Sequence, residues 1–200
     1  MTKIKNILIT GGAGYIGSHV VEFLNKKKKN IFIVDNLSTG FKELINKKDK
    51  FFKIDINNIK KIKDLIIKNN IDSVIHLAAA LSVGESQKNP KKYYKINVIG
   101  TKKLLIAIEN TSVKNIIFSS TCAVYKDGYE TVTEKTKLKP TSVYGKTKLH
   151  AEKLIQSFCK KNNLNYGILR FFNVAALVLQ EKLVKLIEEI SFLKTFLFKF

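Results

Sequence analysis

The chain has 200 residues, enough for one α/β domain with a proper core and with little room for a second. Its formal net charge of +20 comes from 36 basic residues against 16 acidic ones. Arg170 is the sole arginine and the lysines are spread along the chain with no arginine fork and no nucleic-acid motif, so the charge reads as a lysine-biased composition and not as a nucleic-acid binder.

Met1 is followed within four residues by two lysines, Lys3 and Lys5, and directly by the run Ile4 to Thr10, which predicts a strand and no signal peptide, hence a cytoplasmic place. Thr10-Gly11-Gly12-Ala13-Gly14-Tyr15-Ile16-Gly17 closes that run, with glycines spaced G-x-G-x-x-G at 12, 14 and 17 and G-x-x-G-x-x-G at 11, 14 and 17. A tight strand-to-helix turn needs positive φ, a pyrophosphate needs backbone with no Cβ in its way, and the helix must pack close to the strand. The N–H groups opening the helix around Tyr15 and Ile16 then point at phosphate, where the helix dipole favours negative charge. A helix is predicted over Ile16 to Asn25, and Lys26 to Lys29 suit its C-terminal end.

The second strand, Ile31 to Asp35, ends on a carboxylate eighteen residues past Gly17. There it can accept both ribose hydroxyls of an adenosine and repel a 2′-phosphate, or simply cap a turn. The loop Asn36-Leu37-Ser38-Thr39-Gly40 holds no arginine to neutralise such a phosphate, so the expected cofactor is NAD, not NADP. Further strands are predicted at Phe51 to Ile54, Ser73 to Leu77, Asn115 to Ser119 and Tyr166 to Phe171. Helices are predicted over Ile59 to Lys68, Lys92 to Glu109 and Val143 to Lys161. This alternation implies a Rossmann-type, doubly wound parallel sheet with ligands at the C-terminal ends of its strands.

Asp55-Ile56, just past the third strand, suits the adenine. After the fourth, Leu77-Ala78-Ala79-Ala80 is small and apolar, which either lets a cofactor backbone cross the sheet edge or is plain packing. Asn97 falls on a helix face expected to be buried, where an amide needs partners, so it is either a kink in the helix or a strut of the site. Tyr144 and Lys148 lie four residues apart at a helix start, hence on one face. A fixed positive charge beside a phenol favours phenolate, and such a pair can act as a general base on a sugar hydroxyl. Thr121, in the hydroxyl-rich Ser119-Ser120-Thr121, would align the reacting oxygen, with Ser120 as the alternative. Cys122, Cys159, His19, His76 and His150 show no ligand spacing, so no metal site or disulfide framework is expected, and no run approaches a membrane span.

These segments, with Val83 to Ser86, Tyr93-Tyr94, Phe118 to Tyr125 and Leu169 to Val174, resemble the nucleotide-sugar epimerases of the extended short-chain dehydrogenase/reductase family from residue 3 to about 175. The resemblance implies NAD contacts at Tyr15, Ile16, Asp35 through Gly40, Asp55, Ile56, Leu77 through Ala80, Asn97, Lys148 and Phe172. It implies Tyr144 as base, Thr121 as its hydroxyl partner, Asn173 as a contact to a UDP-hexose, and inversion at C4 through a transient 4-keto sugar. Related dehydratases place acidic residues directly after the catalytic hydroxyl and related decarboxylases a Glu in that segment; Cys122-Ala123 stand here instead. A dehydrogenase, a non-catalytic NAD-binding module and a homodimer stay open.

The resemblance ends after Ala175. Residues 1–176 read as the NAD-binding domain and 177–200 as an atypical tail in place of the family's substrate domain. Apolar residues at 183, 186, 187, 190, 193, 197 and 200 predict an amphipathic helix over Glu181 to Phe200. The tail reads as the end of a truncated or frame-shifted product, or as an association helix.

Overall fold

Strands β1 (Asn6–Thr10), β2 (Asn30–Asp35), β3 (Lys50–Lys53), β4 (Ser73–His76), β5 (Asn115–Thr121), β6 (Asn165–Phe171) and β7 (Phe196–Lys199) form one sheet in the order β3-β2-β1-β4-β5-β6-β7. Every pairing is parallel. The coordinates are a computed structural model that describes residues 4–128, 131–172 and 196–199. Helices α1 (Tyr15–Lys26), α2 (Ile59–Lys68), α3 (Val83–Lys88), α4 (Pro90–Tyr93), α5 (Gly100–Ile108) and α6 (Val143–Asn162) connect the strands.

The strands are apolar on both sides because both sides are covered. Leu8, Phe32, Val74, Ile116, Phe118 and Ile168 pack with α2, α5 and α6, while Ile7, Ile9, Ile33, Ile75 and Leu169 join the cluster that holds α1. β1 runs to β2 on one side and is paired with β4 on the other. The chain therefore reverses its winding between β1 and β4, opening a crevice beyond their C-terminal ends. None of the described helices is long and apolar enough to cross a membrane.

Besides shifts of a residue or two at element ends and the short helix α3, three differences from the sequence reading bear on the site and the sheet edge. β5 runs through Thr121 instead of ending at Ser119, because β6 continues beside it to the pair Thr121↔Phe171. The single helix expected over Lys92 to Glu109 is α4, then a π-helical turn (Tyr94–Ile99), then α5. Single π turns of this kind concentrate at functional sites. Residues 196–199 form β7 and not the end of a helix. The open edge of β6 pairs Gly167↔Phe196 through Arg170↔Lys199, which suits the strand-forming Phe196-Leu197-Phe198. Residues 181–195 of the expected helix, and the domain boundary at 176, lie outside the described residues.

Candidate active site

The glycine turn is shaped by close approach. Gly11 adopts φ +73°, and a Cβ there would stand 2.6 Å from the backbone nitrogen of Ala78. At Gly17 a Cβ would stand 2.2 Å from the Gly11 carbonyl oxygen, so α1 can sit this near β1 only without one. No side chain caps α1 and its first turn carries no acid, which leaves its opening N–H groups for an anion. Asp35 lies buried at the end of β2, where Oδ2 accepts from the Ala13 N–H at 3.0 Å and Oδ1 from the Leu37 N–H at 2.8 Å. It does cap the turn, and each oxygen keeps a lone pair for a ribose hydroxyl. The loop Asn36 to Gly40 returns over the glycine turn, with the Phe41 N–H donating to the Ala13 carbonyl at 3.0 Å.

Asp55 is exposed, and its carboxylate accepts from Asn57 and from Asn36 Nδ2. Burial acts to raise its pKa, but these hydrogen bonds outweigh it and hold the carboxyl below its usual range. Ile56 is buried against the Cβ-free face of Gly100. Leu77 to Ala80 are half-buried along the crevice. Asn97 is buried and its amide is fully partnered. It sits in the π turn, its Oδ1 accepts from the Ala80 N–H at 2.8 Å, and its Nδ2 donates to the Ala80 carbonyl and to Thr147 Oγ1, each at 3.1 Å.

At the mouth of the crevice the structure brings Thr121 and Tyr144 together. Tyr144, 8 % exposed, opens α6 beside the helix cap Ser142, whose Oγ accepts from the Gly145 N–H at 3.0 Å. A Cβ on Gly145 would lie 2.2 Å from the Ala123 carbonyl oxygen, so this glycine lets α6 press onto the turn that follows Thr121. Burial pushes the Tyr144 phenol up, and its hydrogen bond with Thr121 pulls the other way. Lys148, on the same helix, is 2 % exposed. Its Nζ turns inward and lies 4.3 Å from the centroid of the Phe118 ring, and burial drives the ammonium down to about 7 while Glu152 opposes the shift. Ser120 points instead to Glu152, and Thr121 is the hydroxyl hydrogen-bonded to the Tyr144 phenol.

Several supporting residues escaped the sequence reading. Ser86 Oγ on α3 accepts from the Tyr144 N–H at 3.0 Å, and Gln87 Oε1 accepts from the Val143 N–H at 3.1 Å. The ring of His76 bridges Thr10 Oγ1 and Thr101 Oγ1. Glu152 was visible as the position one turn beyond Lys148 on the same helix face, whereas Ser86 and Thr101 fall in segments that carry the family resemblance without any local pattern that assigns them a partner. Phe172 is exposed at the end of β6, and Asn173 lies outside the described residues.

A crevice lined by glycine backbone at the point where the winding reverses, with a hydroxyl and a phenol at its mouth, places the chain in the doubly wound, Rossmann-type class. Residues 7–188 match the NAD dependent epimerase/dehydratase family, and the chain belongs to it. The UDP-glucose 4-epimerase of Lactobacillus helveticus is 40% identical over 170 residues, 84% of this chain and 52% of that protein. That of Dictyostelium discoideum is 42% identical over 176 residues, 84% of this chain and 51% of the relative. The crystal structure of UDP-glucose 4-epimerase from Brucella ovis in complex with NAD superposes with a TM-score of 0.81 at 39% identity, covering 84% of this chain and 52% of that one. The chain thus spans about half the length of the curated relatives it matches.

Proposed function

We propose that this chain is the NAD-binding and proton-transferring part of an epimerase that inverts C4 of a UDP-hexose and so interconverts UDP-glucose and UDP-galactose. The observation that carries the reading is the meeting of the Thr121 hydroxyl and the Tyr144 phenol at the mouth of the glycine-lined crevice. The uncapped start of α1 and the backbone of Gly11 to Gly17 hold the pyrophosphate, and Asp35 holds the adenosine ribose. When bound, NAD supplies the two-electron acceptor at the sugar carbon and a positive ring beside the phenol.

The remaining work belongs to the chain's own side chains. Thr121 fixes the sugar hydroxyl by a hydrogen bond, so that its proton faces the phenol oxygen. Tyr144 takes that proton and returns it when the sugar is reduced again. In the chain alone burial keeps the phenol protonated at neutral pH, so Tyr144 needs the added positive charge of the loaded site before it can act as a base. Asn173 contacts the nucleotide-sugar.

The chain loaded with NAD should convert UDP-galactose to UDP-glucose, and Tyr144→Phe should abolish turnover while retaining NAD. A chain that holds NAD yet turns over no nucleotide-sugar would reduce the reading to a non-catalytic NAD-binding module.

A further inference from the structure

Behind the Tyr144 and Lys148 face of α6 lies a cluster of buried polar side chains that the proposed proton transfer does not use. Glu152 is 1 % exposed and Arg170 4 % exposed. The guanidinium grips the carboxylate as a fork, Nη2 to Oε2 at 2.7 Å and Nε to Oε1 at 3.0 Å. Ser120 Oγ donates to the same Oε1. Arg170 Nη1 donates to the Tyr125 hydroxyl at 3.1 Å, and the guanidinium lies 5.2 Å from that ring's centroid. Ser120 and Arg170 face each other in register across β5 and β6.

The positions of these residues say what the cluster does. Ser120 immediately precedes Thr121, and Tyr125 ends the turn that follows it. Glu152 stands one helical turn beyond Lys148 and two beyond Tyr144. One carboxylate therefore ties both flanks of Thr121 to the helix that carries the phenol. Burying an ion pair is weak evidence of a stability role, since apolar residues of similar volume are often as good or better. Geometry at the site is the better reason for it here.

The charges point the same way. Lys148 is faced by Glu152 from its own helix and by His76 from β4, with the Phe118 ring beneath it, and Glu152 is itself held by Arg170 of β6. Burial keeps His76 neutral, so Glu152 supplies the negative charge among these groups. A carboxylate at this range favours the ammonium form.

We propose that Glu152 and Arg170 are positioning residues for the reaction: their fork clamps Thr121 against Tyr144, and the Glu152 carboxylate, one helical turn from Lys148, counters the effect of burial on its ammonium. The proposal rests on reading Tyr144 and Thr121 as the reacting groups, but it is tested on the cofactor-free chain, with no turnover needed.

Lysine side-chain NMR follows the Lys148 titration, assigned with Lys148→Met, and amide hydrogen exchange follows residues 121–125 in the same samples. Glu152→Gln with Arg170→Met removes both charges together and leaves neither ion uncompensated. In this variant the Lys148 midpoint should fall by about one pH unit or more, and exchange at 121–125 should quicken about ten-fold or more. Arg170→Lys keeps the charge and loses the fork, so exchange should quicken while the Lys148 midpoint stays near that of the wild type. Wild-type behaviour in either readout of the folded double variant overturns the proposal, as does wild-type exchange in Arg170→Lys. Failure to find NAD binding or turnover would count against the proposed function and not against this pair.

Discussion

At His76 three hydrogen bonds decide how stability must vary with pH. Thr101 Oγ1 donates its proton to the Asn97 carbonyl at 2.6 Å, so it can only accept from His76 Nε2, 3.0 Å away. His76 Nδ1, 2.7 Å from Thr10 Oγ1, is then the acceptor of the Thr10 proton. A second proton on the ring would reverse that bond, turning the Thr10 hydroxyl into an acceptor, and would bury a positive charge. Burial, helped by the nearby charge of Lys148, accordingly lowers the imidazole to about 3. An unfolded imidazole titrates near 6.5, so below that pH the unfolded chain binds a proton that the folded chain refuses. The contribution is complete above the unfolded value and is lost as pH falls toward the folded one. Linkage over the whole window amounts to about 5 kcal/mol, of which about 2 kcal/mol is lost between pH 7.5 and 5.0. With a urea slope of roughly 2 kcal/mol/M, the midpoint of the wild-type chain should drop by about 1 M from this residue. His76→Gln cannot take up the proton, so its midpoint should move less across the same interval by that amount. A variant whose midpoint follows pH as steeply as the wild type would refute the reasoning.

Gly17→Ala places a Cβ 2.2 Å from the Gly11 carbonyl oxygen and 2.6 Å from the Gly12 Cα, so the turn must open. NAD affinity measured by calorimetry should fall about 100-fold or more, the equivalent of about 3 kcal/mol; unchanged affinity would remove the turn from the cofactor site. Gly84→Ala, whose Cβ meets nothing within 4 Å inside α3, should instead raise stability by about 0.5–1 kcal/mol, and a loss would contradict the helix there. Asn97→Ala leaves both polar groups of the Ala80 backbone without their side-chain partner, and should lower the unfolding free energy by about 2–4 kcal/mol in a denaturant titration. Burial pushes the Cys159 thiol up to about 12, whereas Cys122 is half-buried at the site. At pH 8 the folded chain should therefore release one equivalent from dithiobis-nitrobenzoate and two in denaturant; two fast thiols in the folded chain would argue against the α6 packing.

The parallel sheet was legible because strands buried on both faces carry unbroken apolar runs, and the glycine turn because its spacing reports steric limits that act locally. Asp35 was legible for the same reason, as a charged residue closing such a run. Position along a helix also placed Tyr144 and Lys148 on one face, yet it could not tell that Lys148 turns inward over Phe118. That depends on β5 lying under α6, a contact between segments about thirty residues apart. The π turn at Asn97 escaped for a related reason. Helical periodicity tolerates one inserted residue, and only the partners on Ala80 and Thr147 reveal why the extra residue is there. The tail misled because apolar spacing was weighed without the open edge of β6, to which residues 196–199 pair.

The same long-range contacts explain how the sheet gathers the candidate site residues. The glycine turn, Asp35, Thr121 and Tyr144 each lie at the C-terminal end of a strand or near the start of a helix, so residues as far apart as Gly11 and Tyr144 meet along one edge of the sheet. Asn97 then locks two of these ends to each other, since its one amide holds the Ala80 backbone beyond β4 and reaches Thr147 on α6, whose Oγ1 donates in turn to the Tyr144 carbonyl at 2.8 Å. A shift at the cofactor side of the crevice cannot leave the phenol where it was without breaking one of these bonds. The π turn is the feature that brings Asn97 to this junction; in a regular α-helix each later residue turns by about 100° per step, and the removal of one residue from the turn would swing the amide away from both partners. Sensitivity to such a deletion, with the cofactor loop and the phenol disturbed together, is what distinguishes a coupled site from two sites that merely share a sheet.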